Sequence, residues 1–150
     1  MTKLPMTEAE SQGLAHIAAR LEFFKHFNGA QLERLFSRIQ LYCLKKGETI
    51  FHKGQSPMAF YLIYTGRVRI HLGYNFWGLM KKMAHLGPGD LFGEMALIEK
   101  RVHSGTAVAE ESTQLFVLTY EYFDELMKSD PAFADLIQFV IARRKIGASR

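Results

Sequence analysis

From Gln40 onward the hydrophobic pattern takes a period of two, and the runs are cut at short intervals by Lys46-Gly47, Lys53-Gly54, Thr65-Gly66 and Gly87-Pro88-Gly89. Short strands joined by glycine turns argue for a sandwich or roll. Val68, Ile70 and Leu72 alternate with Arg67, Arg69 and His71, which predicts a strand with one face buried and a basic face turned to solvent or ligand. Thr106–Ala109 and Gln114–Leu118 read as two further strands.

Helical periodicity brackets this β region. Thr7 and Glu10 form a capping box, and Leu14, Ile17, Ala18, Leu21 and Phe24 follow at helical spacing, predicting a helix from about Glu8 to Lys25. Asn28 and Gln31 cap a second helix marked by Leu32, Leu35, Phe36 and Ile39. Tyr120–Met127 is expected to be helical with Phe123 and Leu126 inward, and Asp130-Pro131 to start a last helix. That helix carries a stripe of Phe133, Leu136, Ile137, Val140 and Ile141, which reads as core and also as a dimerisation seam.

The chain has 150 residues and is 48% hydrophobic, enough to bury one sizeable core. Its apolar runs, such as Phe60 to Tyr64, are too short to span a bilayer, and the first residues lack a signal-peptide block, so a cytoplasmic location with no membrane partner is expected. The single Cys43 excludes an intrachain disulfide framework and a cysteine-ligated iron–sulfur cluster, and its neighbours Leu41 and Leu44 suggest a small core residue. A net charge of +4 is mild for nucleic-acid binding. The Arg143-Arg144-Lys145 cluster reads as a solvated helix end, so no nucleic-acid partner is expected. Six histidines scattered at positions 16, 26, 52, 71, 85 and 103, with no Ser/His/Asp spacing, speak against an enzyme and against a metal site. Phe76 and Trp77 read as a hairpin tip, packed under a neighbouring loop or contacting a partner.

One segment carries chemistry. Gly87-Pro88-Gly89-Asp90 makes a tight turn, Gly93 admits close backbone approach, and Glu94 to Ile98 can form one helical turn with a carboxylate beside it. On spacing alone this is either a phosphate cradle or an ordinary β-turn with a surface glutamate.

Taken together, Phe23-Phe24-Lys25-His26-Phe27, Lys46-Gly47-Glu48-Thr49-Ile50-Phe51, Lys53-Gly54-Gln55, Tyr61 through Val68, and Gly87 through Glu94 resemble the cyclic-nucleotide-binding domain family over about Phe23 to Lys145. The resemblance implies a mainly β fold with flanking α. Specifically, it implies a double-stranded, jelly-roll-like β-roll with N-terminal helices and a C-terminal helix pair. Residues 1–22 are expected as an N-terminal helical extension and 23–150 as the binding domain. It further implies a non-catalytic regulatory module for cAMP or cGMP, without an obligatory cofactor. Gly93, Glu94, Met95 and Ala96 match the start of the phosphate-binding cassette, whose glutamate takes the ribose 2′-hydroxyl. At the position of the family's phosphate-binding arginine stands His103, followed by Ser104, whose hydroxyl and N–H are implied to reach the phosphate.

Arginine is always charged and offers a planar fork, whereas histidine is only partly protonated near neutrality. Losing one charge-assisted bond to a buried phosphate costs about 1.5–3 kcal/mol, or tenfold to a hundredfold in affinity. Three cations are placed to make good the loss: His103 with backbone N–H groups in first place, Arg144 reaching down from the last helix, and Arg101 last, as a solvated loop residue. Aligning Ala142-Arg143-Arg144 with the bacterial regulators puts their base-contacting pair on Ala148 and Ser149, where one of the two polar groups is absent. Output is expected through the C-terminal helix, by homodimerisation or by contact with an effector protein. The alternative is a nucleotide-independent dimerisation or docking module that keeps the fold without the ligand.

Overall fold

The computed structural model describes residues 1–73, 77 and 83–148, with the side chains of all of these up to residue 143. Nine strands are β1 (Thr2–Leu4), β2 (Gln40–Leu44), β3 (Thr49–Phe51), β4 (Ala59–Thr65), β5 (Val68–His71), β6 (Met83–Leu86), β7 (Leu91–Phe92), β8 (Thr106–Ala109) and β9 (Thr113–Thr119) among the described residues. They pair antiparallel in two sheets, ordered β1-β2-β9-β4-β7 and β3-β8-β5-β6. The helices are α1 (Glu8–Ala18), α2 (Gly29–Phe36), α3 (Glu94–Glu99), α4 (Tyr120–Ser129) and α5 (Pro131–Ala148), with a 3-10 turn at Glu22–Phe24. This is the β-roll with flanking helices that the resemblance implies.

Strands β4 and β9 are buried on both faces, and their two-residue period sorts the side chains. Tyr61, Ile63, Leu115 and Val117 point between the sheets and meet Phe51, Val68, Phe92, Ala107 and Ala109. Phe60, Leu62, Phe116 and Leu118 point outward and are covered by the helices through Leu14, Phe23, Phe24, Leu35, Phe123, Phe133 and Ile137. One sheet therefore separates two apolar layers, and burial of each layer drives its side of the fold.

Helix starts follow their caps. The Asn28 side chain accepts from Gln31 N at 2.8 Å while Gln31 Oε1 accepts from Asn28 N at 2.9 Å. Asp130 Oδ1 accepts from Phe133 N at 3.1 Å at the head of α5. The end of the first helix differs from expectation. α1 stops at Ala18 and Leu21 is extended, so Phe23, Phe24 and Phe27 turn into the core, Phe24 meeting both of the others edge-to-face. An uninterrupted helix would carry these rings past the sheet they cover.

Three further corrections, and one expectation of core packing borne out, arise from pairing and packing. The first 22 residues are not purely helical: β1 adds to the edge of β2, with Thr2 opposite Cys43, and the Met1 amine meets Glu48 at 2.9 Å. Cys43 is half-buried rather than core. On β5 the alternation fails beyond Val68, since His71 is buried and Ile70 and Leu72 only half so. The cause is the neighbouring backbone: His71 Nδ1 accepts from Gly73 N at 3.2 Å, and Gly105 runs so close that a Cβ there would lie 2.9 Å from the His71 carbonyl. Last, the α5 stripe is not left uncovered, because Phe133, Ile137 and Val140 are buried in this chain's own core, with Leu136 and Ile141 packed against it.

The hairpin tip lies outside the described residues except Trp77, which is 79% exposed rather than packed under a loop. Among the described residues no helix is long and apolar enough to cross a membrane.

Candidate functional site

The turn before β7 is built from its own acidic residue: Asp90 Oδ2 accepts from Gly87 N at 2.8 Å, and Gly89 N donates to Ile63 O at 2.8 Å, fastening the turn to β4. After β7 the chain must reverse at once into α3. Gly93 does this with φ +80°, and a Cβ there would lie 3.1 Å from the Tyr61 ring, so both conformation and space call for glycine. At the other end of α3, Lys100 takes φ +54° and Arg101 N donates to Ala96 O at 3.1 Å, which closes the helix and directs the following loop back across the site. The loop is then clamped: His103 N donates to Gln55 O at 3.0 Å and Gly54 N donates to His103 O at 2.8 Å.

These constraints enclose a cavity of about 270 Å³, near the lower end of the ligand-site range. Its apolar wall comes from Phe51, Ile70, Leu86, Leu91 and Phe92, and its polar wall from Glu94, Arg101, His103 and Ser104. Glu94 is 9% exposed. His103 is 4% exposed, and its ring lies flat on Phe51, with centroids 3.6 Å apart and planes 6° from parallel. Burial, and secondarily the charge of Arg101, lowers the pKa of His103 from its ordinary value and so disfavours its charged form. Behind the wall Tyr61 stacks on Phe92 at 5.2 Å, and burial pushes its phenol up to about 12.

Gly93, Glu94, Met95, Ala96, His103 and Ser104 thus line one space. Arg144 lies on α5, and its side chain, like those of Ala148 and Ser149, is outside the described residues. Arg101, expected as a solvated loop residue, is exposed and also lines the cavity, with Nε 2.9 Å from Glu99 Oε2. The apolar wall was not identified from the sequence. Its one available signal was the alternation of β5 and β6, whose ladder places Val68 opposite Leu86 and Ile70 opposite Ala84.

A model of the cyclic nucleotide-binding domain matches residues 43–130, more than half of the chain. Over 117 residues the sequence is 36% identical to the cyclic AMP receptor protein of Thermus thermophilus, covering 76% of this chain and 52% of that protein. The chain thus spans about half the length of this relative. The crystal structure of Thermus thermophilus catabolite activator protein superposes with a TM-score of 0.66 at 32% identity, covering 85% of this chain and 59% of that one. The N-terminal domain of a transcriptional regulator from Streptomyces coelicolor A3(2) shares the fold, with a TM-score of 0.77 at 23% identity over 88% of this chain and 94% of that one. Because the domain model matches more than half of the chain, the protein belongs to the cyclic nucleotide-binding domain family.

Proposed function

We propose that the chain is a non-catalytic regulatory module that binds cAMP or cGMP in the cavity beside α3 and passes the occupied state on through α5. The observation that carries this reading is the convergence of Gly93, Glu94, His103 and Ser104 on one cavity with an apolar wall. In it Glu94 accepts the ribose 2′-hydroxyl, Met95 and Ala96 form the wall beside the sugar, and the phosphate lies toward His103 and Ser104. Arg144 is assigned to the lid side, from α5. A conduit for the signal is at hand, since α5 packs on both α3 and α4. The module works in the cytoplasm, and its partners are a second copy of the chain through α5 and an effector protein.

Calorimetry with both nucleotides tests this reading. Heat of binding is expected for at least one, and none at millimolar ligand with a folded protein overturns it. His103→Arg is expected to tighten binding by about tenfold or more, since a guanidinium can keep the flat contact with Phe51 while adding a fixed charge. An unchanged affinity in that variant would place the phosphate elsewhere.

A second reading has its own observation. His103 is buried and stacked, and burial lowers its pKa, as for a histidine serving the core. It favours a docking or dimerisation module that retains the fold and has given up the ligand, which the same calorimetry would reveal.

A further inference from the structure

Among the described residues lining the cavity, Arg101 is the one side chain with a permanent positive charge. His103 beside it is buried and lies against Phe51, which closes one face of its ring to a ligand. Glu94 contributes negative charge to the same space. An anionic group entering the cavity therefore finds its opposite charge at Arg101 and nowhere else on the described wall. The backbone fixes where that charge sits. Lys100 in the left-handed conformation and the Arg101 N–H bond to Ala96 O set the Cα of Arg101 at the cavity's rim.

The guanidinium is held by Glu99, two residues earlier, with Nε 2.9 Å from Oε2 and side chains 47% and 25% exposed. An ion pair this open to water is weak and exchangeable. A phosphate or carboxylate in the less hydrated cavity offers the same fork a charge-assisted, two-point bond. We infer that Arg101 is the residue that binds the anionic group of this cavity's ligand, and that Glu99 competes with the ligand for it. Arg101 then takes over the role of the absent arginine at position 103, while His103 serves as a packed wall. Glu99 sets the affinity: its carboxylate must be displaced, so the empty site keeps its cation neutralised.

The assignment builds on the cavity reading above, and three probes separate the two: cAMP, adenosine, which has no phosphate, and inorganic phosphate. Their affinities are measured by calorimetry on the parent protein, Arg101→Gln and Glu99→Gln, with melting curves to show that each is folded. Arg101→Gln is expected to weaken cAMP and phosphate by about tenfold to a hundredfold and to leave adenosine unchanged. A merely structural effect would weaken all three. Glu99→Gln is expected to tighten the two anions severalfold and not adenosine, and failure to do so overturns the competing role of Glu99. If parent and Arg101→Gln bind cAMP equally, Arg101 is not the anion's partner, while the nucleotide reading stands. If the parent takes phosphate in an Arg101-dependent way but neither cyclic nucleotide, the nucleotide reading fails and the assignment of Arg101 stands. Binding of none of the probes to the folded parent overturns both.

Discussion

The stacking of the His103 ring on Phe51, with centroids 3.6 Å apart, ties the packing of the cavity to the protonation of His103. Burial, and then Arg101, lowers its affinity for a proton in the folded state, whereas the unfolded chain has the ordinary value near 6.5. Below that pH the unfolded state binds the additional proton, so stability from this residue is complete above about 6.5 and is lost as pH falls toward the folded value. The expected outcome is a melting temperature that drops between pH 7.5 and 5, and a shallower drop in His103→Phe, which keeps an aromatic face against Phe51 without a titrating group. Parallel curves for the two proteins would show that the imidazole is already charged when folded. Gly93 is the other residue on which the site depends. Gly93→Ala is expected to cost about 1–2 kcal/mol from its left-handed backbone alone, read as a lower denaturant midpoint, and more if Tyr61 does not yield. Both residues were picked out from the sequence. The stacking of one and the close contact of the other belong to partners, Phe51 and Tyr61, that are distant in the chain.

Among the elements, α5 is held at its head by a single side chain with two tasks. Asp130 caps the helix through Phe133 N and pairs with Arg34 Nη1 of α2 at 2.6 Å. Asp130→Ala is expected to destabilise by about 1–2 kcal/mol in chemical denaturation. Asp130→Asn retains the cap and should recover most of the loss, because the pair with half-exposed Arg34 adds less than about 1 kcal/mol. An asparagine variant as unstable as the alanine one would assign the weight to the ion pair instead. The same contrast explains which parts of the helices were legible. Starts carry chemical marks, Thr7 with Glu10, Asn28 with Gln31 and Asp130 with Pro131, because orphan N–H groups need acceptors. The end of α1 carries none: no glycine or proline stops the run at Ala18, and the demand of three phenylalanines for the core does so instead. Strand β1 had no sequence signal either. Thr2–Leu4 forms a strand because β2 presents an edge there.

At the scale of the whole molecule, the buried stripe of α5 changes the basis for self-association. Phe133, Ile137 and Val140 are used internally, so a dimer through α5 must rest on its outer face, where Phe139 is 46% exposed against the edge of His26 and under Arg143. Light scattering at high concentration is expected to give twice the 17.2 kDa mass of one chain, and a single-chain mass contradicts the dimer. The two-residue period broken by glycine turns left a sandwich or a roll open and the resemblance of the motifs implied the roll, whereas the position of the cassette was legible in the sequence itself. So was the identity of most cavity residues on the cassette, since they are local to one turn and one short helix. Tertiary structure alone decided the rest: which strands supply the apolar wall, that His103 is stacked on Phe51, and that the half-exposed Arg101 also lines the cavity. Burial, a lowered pKa and orientation are properties of a side chain's neighbours, and these neighbours come from strands tens of residues away.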